Sequence, residues 1–440
     1  MQATELLLQP VFEHPAFQNV LKAFSHQTAH RPPEIARLTR TAKAVVLAGL
    51  AHRIQKPFCV LSPQREQAEM LRSATATLLD WIEPGEGNKV TVLPPFDRTP
   101  YDGRSPHAEI SERRAVALWR IAQRGARIVF VPAAAAVGRL REAVYYRSLA
   151  LEIKTGDEIN PGDLVEHLAG VGYEAQEPVD APGSYSVRGG IADVYPPEAE
   201  WPFRIEFFGD QVESLREFDP ATQRSRGIVS SAWLLPLSEH HRSRAFFEAL
   251  ARQFALRSNL AGPTARDPTP APQYSNAFPG WEFFASLAEP HSSNLFEVCG
   301  DPVVVWDEAP EIERQIKLLR EAWESAFDES RDATPTPPRP QDLLLSDQEF
   351  RSALAPVAQL SLKELEVEDS DSPPDGFEAA RTLAESRVGH LTLPSQPPPK
   401  FHGAVKAWVE DLSARRARGE RVVVALSSAG KMERFGETLR

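Results

Sequence analysis

Residues Tyr185 to Leu215 read YSVRGGIADVYPPEAEWPFRIEFFGDQVESL, in which short alternating runs are separated by Gly189-Gly190, Pro196-Pro197 and Gly209-Asp210. Phe203, Ile205 and Phe207 alternate with Arg204 and Glu206. The two-residue period of a strand sends the first set to a core and the second to solvent, with Phe208 following on the outer side. The glycine pairs supply the positive φ angles of tight turns, and the prolines end one strand before the next begins near Phe203. A small antiparallel meander results, with Arg188, Arg204 and Phe208 near one another on its outer face. Arginine beside an aromatic is enriched at interface hot spots, where truncation costs ~2 kcal/mol or more. A plainer reading pairs Arg188 and Arg204 with Asp193 and Glu206 across strands and folds Phe208 over a sheet edge.

Outward from the meander, Leu38 to Pro132 alternates helical and strand-like segments: an Ala-rich helix, FCVLS, a helix through Leu71, KVTVLP, a helix through Ile121, and RIVFVP. That order predicts a parallel α/β layer, its strands apolar throughout because helices cover both faces. After Ser148, LALEIKTGDEI reads as a strand, and Asn160-Pro161 caps a short helix through Leu164 and Leu168. With the meander this makes an insert of roughly ninety residues, the size of a small domain. From His240 to Ser330 a second α/β segment follows, carrying DPVVVWDEAPEI and a long helix through Ile312, Ile316, Leu319 and Trp323, and suited to completing the first layer. RDATPTPPRPQ from Arg331 reads as a polyproline-like linker, and ELEVEDSDSPPDG from Glu364 as a solvated acidic stretch. Beyond Pro397 to Pro399, Val405, Trp408, Val409 and Leu412 share a helix face, followed by the strand RVVVAL and the helix-like KMERFGETL. One helix and one strand cannot bury a useful core, so the sequence is expected to be cut from a longer parent or to have lost its C-terminal part.

With 440 residues, 42% hydrophobic and 25% charged, the composition is that of a soluble protein of several domains. A net charge of −12 argues against a free-standing duplex-DNA binder, whose affinity would come from basic side chains on phosphates. Cys59 and Cys299 lie in the apolar runs PFCVL and FEVCG and read as core residues of a cytoplasmic protein. No stretch approaches the ~20 apolar residues of a membrane span.

In a nucleotide-binding α/β layer, a glycine-rich loop between the first strand and helix lets backbone amides approach phosphate, and a Lys-Ser/Thr pair serves charge and magnesium. LTRTAKAVV, Leu38 to Val46, occupies that position with Lys43 but no glycine, and Ala44 stands where the hydroxyl belongs. Arg40 and Thr41 obstruct the cradle, so the stretch reads as a plain helix start. VVVWDEAP, Val303 to Pro310, ends in Asp307-Glu308 like a Walker-B strand; without a phosphate loop the two acids read as caps of the next turn. His240 and His241, being adjacent, point apart and do not chelate. No GxSxG or HExxH occurs, and nothing nominates a catalytic residue. RRARGER, Arg415 to Arg421, falls where a helix ends at Gly419 and complements its dipole, and Arg113-Arg114 reads as an exposed helix face.

The blocks LPPFDRTPYDGRSPHAEISERRAVALWRI, GDLVEHLAGVGYE, YSVRGGIADVYPPE and FRIEFFGDQVESLREFD resemble the amino-terminal, UvrB-homologous module of the bacterial transcription-repair coupling factors (Mfd). The resemblance covers Leu38 to Glu239 and extends to the remainder through the order of segments. UvrB carries an intact phosphate loop and an aromatic-rich hairpin that clamps DNA; here the loop is degenerate and KVTVLPPFDRTPYDGRSPH leaves no room for the hairpin, as in the coupling factors. The implied fold is α/β, with degenerate RecA-like (UvrB-like) parallel-sheet layers, a small inserted α+β domain and a partial C-terminal α/β unit. Its parts are 1–148 (domain 1A), 149–237 (inserted domain 2), 238–330 (domain 1B), 331–400 (Pro-rich and acidic linker) and 401–440 (the start of a third domain).

The resemblance implies UvrA as the partner of domain 2, and the family's contacts fall on Arg188, Arg204 and Phe208. It implies no catalytic residue, cofactor or metal in this chain. ATP and magnesium are expected only in the translocase domains of a parent, which would also bind RNA polymerase and double-stranded DNA and would mask the UvrA surface until transcription stalls. Arg204→Ala and Phe208→Ala are expected to leave the fold intact and weaken UvrA binding by at least ~2 kcal/mol. Two rival readings remain: an active helicase or UvrB-type damage verifier using Lys43, and a stand-alone adaptor binding DNA weakly through Arg415, Arg416 and Arg418.

Overall fold

The apolar runs FCVLS and RIVFVP lie side by side at the heart of a parallel sheet. The computed structural model describes residues 3–26, 33–260, 276–331, 333, 335–364, 390–392, 395, 401, 404–420, 422 and 429–438. In chain order the strands are β1 (Glu34–Ala36), β2 (Phe58–Ser62), β3 (Val90–Val92), β4 (Ile128–Pro132), β5 (Leu151–Lys154), β6 (Glu174–Ala175), β7 (Ser184–Arg188), β8 (Ile191–Val194), β9 (Phe203–Phe208), β10 (Gln211–Phe218), β11 (Ser225–Ile228), β12 (Ser231–Leu234), β13 (Val303–Asp307), β14 (Ala358–Leu362) and β15 (His390–Thr392).

Seven of them form the main sheet in the order β15-β1-β14-β13-β2-β4-β3, every pair parallel. Helices cover both faces, which is why its central strands are apolar at consecutive positions. Phe58 and Val60 of β2 face a core shared with Val46, Leu50 and Leu79. Cys59 and Leu61 face the opposite core, with Ile121, Val131 and Val304.

Residues 238–330, read as a second α/β segment suited to completing the first layer, supply β13, a central strand of that layer between β2 and β14. Residues 331–400, read as a linker, supply the helix Asp347–Leu354 and strand β14. The short run AQLSL, with Leu360 and Leu362 buried, carries the strand signal, but prolines and acids flank it on both sides and dominate the composition. The helices Val405–Ala417 and Ala429–Thr438 form as expected. The expected strand RVVVAL, Val422 apart, and the acidic stretch beyond Glu364 lie outside the described residues.

The insert begins with β5, antiparallel to β12. Its helix, Pro161–Gly170, starts where the Asn160 Oδ1 accepts from the Gly162 amide at 2.8 Å. The meander then builds a six-stranded sheet in the order β11-β10-β9-β8-β7-β6. Ala192, Val194, Ile205, Phe207 and Leu215 form its inner face and pack into the same core as Leu164, Leu168 and Tyr173.

Arg114, read as part of an exposed face, is instead buried and fixes the segment leaving the insert. Its Nε donates to Glu239 Oε2 at 2.6 Å, its Nη2 to Oε1 at 3.2 Å and its Nη1 to the Pro94 carbonyl at 2.7 Å. The guanidinium also lies 4.0 Å from the Phe96 ring centre. Next to this pair, buried His240 stacks on His291 with ring centres 5.5 Å apart. Burial, reinforced by Arg114 and Arg141, lowers the His240 imidazole to about 3.

Candidate protein-docking site

The outer face of the six-stranded sheet is set by its register. Asp193 on β8 lies opposite Arg204 on β9, which lies opposite Arg216 on β10. Ile191 lies opposite Glu206, and Phe208 closes the β9–β10 hairpin opposite Gln211. The turn at Gly209 takes φ +63°, a conformation costly for any residue with a Cβ. At Gly190 a Cβ would lie 2.9 Å from the Phe207 carbonyl oxygen, so the β7–β8 turn passes against β9 only because that residue is glycine.

Phe208 is 77% exposed, while Phe207 beside it is buried. Ile191, two residues along the neighbouring strand face, is also exposed. An aromatic held this far out by a tight hairpin is an apolar surface available to a partner.

Both arginines converge on one carboxylate. Arg204 donates from Nε to Asp193 Oδ1 at 2.7 Å and from Nη2 to Oδ2 at 2.8 Å. Arg188 donates from Nη2 to the same Oδ2 at 3.3 Å and from Nη1 to Glu177 Oε1 at 2.6 Å. The Asp193 side chain is 2% exposed, that of Arg204 18% and that of Arg188 52%. Arg204 also lies 4.8 Å from the Phe218 ring centre. The plainer cross-strand reading holds for Asp193 but not for Glu206, which is engaged by Ser214 and Arg216. Arg204 therefore holds the face together, whereas Arg188 and Phe208 present themselves to solvent.

The degenerate phosphate-loop position is filled from within. Only Arg37, Leu38 and Thr39 separate β1 from the helix Arg40–Arg53, and Leu38 is buried. Thr39 Oγ1 caps that helix by accepting from the Ala42 amide, and the Thr39 amide donates to Ser395 Oγ at 2.8 Å. Lys43 Nζ, 4% exposed, lies 2.6 Å from both Asp307 Oδ1 and Glu308 Oε1. Burial opposes the ammonium charge, but the two carboxylates outweigh it and raise Lys43 above its ordinary value. The expectation that Asp307 and Glu308 cap the next turn is thus corrected: neither side chain caps the helix Ala309–Ser330. Their oxygens take the lysine, and Glu308 Oε1 also accepts from the Glu364 amide at 2.5 Å.

The Arg415 cluster ends its helix at Gly419, where φ is +79°. Arg415 pairs with Asp411 and Glu420, and Arg418 with Glu420.

Residues 151–240, which include all of the docking sheet, match the UvrB interaction domain family. Over 423 residues, 90% of this chain and 34% of the relative, the sequence is 28% identical to the transcription-repair-coupling factor of Myxococcus xanthus. The chain is similar to a UvrB-like module of the transcription-repair-coupling-factor kind. The corresponding factor of Haemophilus influenzae is 31% identical over 227 residues, covering 52% of this chain and 19% of that protein. UvrABC system protein B of Thermosipho africanus is 23% identical over 229 residues, covering 48% of this chain and 33% of that protein. The matches span at most about a third of the length of these relatives. The matched residues contain the whole six-stranded sheet and the helix Pro161–Gly170, and the parallel layer agrees with the α/β fold class expected.

Proposed function

We propose that this module recruits UvrA through the outer face of the six-stranded sheet, within a protein of transcription-coupled nucleotide excision repair. The observation that carries this reading is Phe208, 77% exposed at the tip of a hairpin inside the matched UvrB interaction domain. Phe208 enters an apolar socket on UvrA and Arg188 meets an acidic group there, while Arg204 keeps the face in shape. Burial of an aromatic at the centre of such a patch supplies most of the affinity, with the charged rim adding register and rate.

The same module is a binding platform without nucleotide chemistry. A glycine-free, three-residue strand-to-helix connection and a lysine already held by two carboxylates support that reading. A parent protein would bring ATP, magnesium, RNA polymerase and double-stranded DNA through domains of its own, acting as a translocase that displaces stalled polymerase.

Co-elution with purified UvrA on a sizing column tests the docking: the wild-type chain co-elutes and Phe208→Ala does not. Normal co-elution of Phe208→Ala would refute the assignment. ATP turnover by this chain that disappears in Lys43→Ala would restore the enzymatic reading.

A further inference from the structure

Two carboxylates touch Arg188, and they differ in burial. Asp193 is 2% exposed and lies beneath the guanidinium of Arg204, which grips it with two hydrogen bonds. Glu177 is 57% exposed and holds only Arg188, through one oxygen. A carboxylate arriving on a partner surface has no access to Asp193's place, which is closed by Arg204. It reaches Arg188 at the position Glu177 occupies.

Resting on the UvrA reading above, we propose that these two acids act in opposite senses on docking. Asp193 is a positioning residue: its fixed charge anchors Arg204 and draws Arg188 toward the face that carries Phe208. Glu177 is an internal competitor that occupies Arg188 until an acidic group of the partner replaces it. Docking then exchanges one exposed ion pair for another of better geometry, and the free protein keeps Arg188 neutralised in the meantime. An exposed pair of the Glu177 kind contributes little to stability, so the exchange is cheap. Removing a buried partner such as Asp193 leaves the largely buried Arg204 without its counter-charge.

The experiment measures UvrA affinity, by titration calorimetry with the full chain, for Glu177→Gln and Asp193→Asn. Each substitution removes one negative charge with little change of shape. A purely long-range charge effect would shift both affinities in the same direction. The expected results are opposite: Glu177→Gln binds about two- to five-fold tighter, as release of an exposed ion pair allows, and Asp193→Asn binds at least about ten-fold weaker. In an Arg188→Gln background the gain from Glu177→Gln disappears, a readout that does not depend on the Asp193 variant folding. Tightening by both variants, no change with Glu177→Gln, or a gain that survives Arg188→Gln would each overturn the proposal while leaving the docking site standing. Unaltered binding by Phe208→Ala would instead remove the docking reading itself, and this proposal with it.

Discussion

Lys43 and Asp307 are 264 positions apart in the chain, and their charged atoms are 2.6 Å apart in the fold. One lies in the first turn of the helix after β1 and the other at the end of β13, so the contact spans the place where a nucleotide-binding layer holds phosphate and magnesium. The side chains neutralise each other there, with Glu308 as a second acceptor.

Breaking this contact from one side leaves a buried charge. Lys43→Ala is expected to lower unfolding free energy by roughly 3 kcal/mol, measured by urea denaturation, because Asp307 loses its counter-charge. The double variant Lys43→Met with Asp307→Asn recovers most of that loss, since no net charge is then buried. On the proposed reading, ATP turnover is expected to be absent in the wild type and in both variants.

Arg204 and Phe208 separate by readout. Arg204→Ala is expected to destabilise the domain by roughly 2–4 kcal/mol, the cost of leaving Asp193 with Arg188 alone; thermal melts of the two variants check it. Phe208→Ala, at a site open to solvent, stays within about 0.5 kcal/mol of wild type while UvrA affinity falls by ~2 kcal/mol or more.

Gly190→Ala places a Cβ 2.9 Å from the Phe207 carbonyl oxygen. The β7–β8 turn must move off β9, displacing Arg188 and Ile191 from their places beside Phe208. Weaker UvrA binding is expected, with the parallel sheet's far-ultraviolet circular dichroism unchanged.

Acid sensitivity follows from the histidines. Burial holds His240 and His291 at about 3, and it also lowers His167 and His241. Below pH 6.5 the unfolded chain takes up protons that the folded chain refuses, so stability falls as pH falls. For His240 and His291 the loss is of order 2 kcal/mol each between pH 6.5 and pH 5. Glu282, raised by burial, acts in the opposite sense below neutrality and offsets a part. Melting temperature is expected to drop from pH 7 to pH 5, and His291→Phe to reduce the drop.

The docking sheet was legible in the sequence because its signals are local. Alternation through Phe203–Phe208 and the paired turn residues specify strands and faces within thirty residues. Strand β13 was legible as a strand but not as a central one, since parallel neighbours are set by crossovers that no local pattern records. Strand β14 was hidden by its prolines and acids. Arg114 lies on an otherwise ordinary amphipathic helix, and only its meeting with Glu239, 125 positions away, shows it to be buried. The same limit applied to Asp193: alternation places it outward, and it is the arginines folded over it that bury it.

The strand order has a consequence for synthesis on the ribosome. Strand β1 pairs with β14 and β15, so at 5–20 residues per second it waits roughly 15–60 s for its first neighbour. The six-stranded sheet, by contrast, runs from Glu174 to Ile228 without interruption and is fully translated before β13 exists. The nascent chain thus completes the six-stranded sheet while the parallel layer is only the β2-β4-β3 half, with β1 still waiting for β14 and β15.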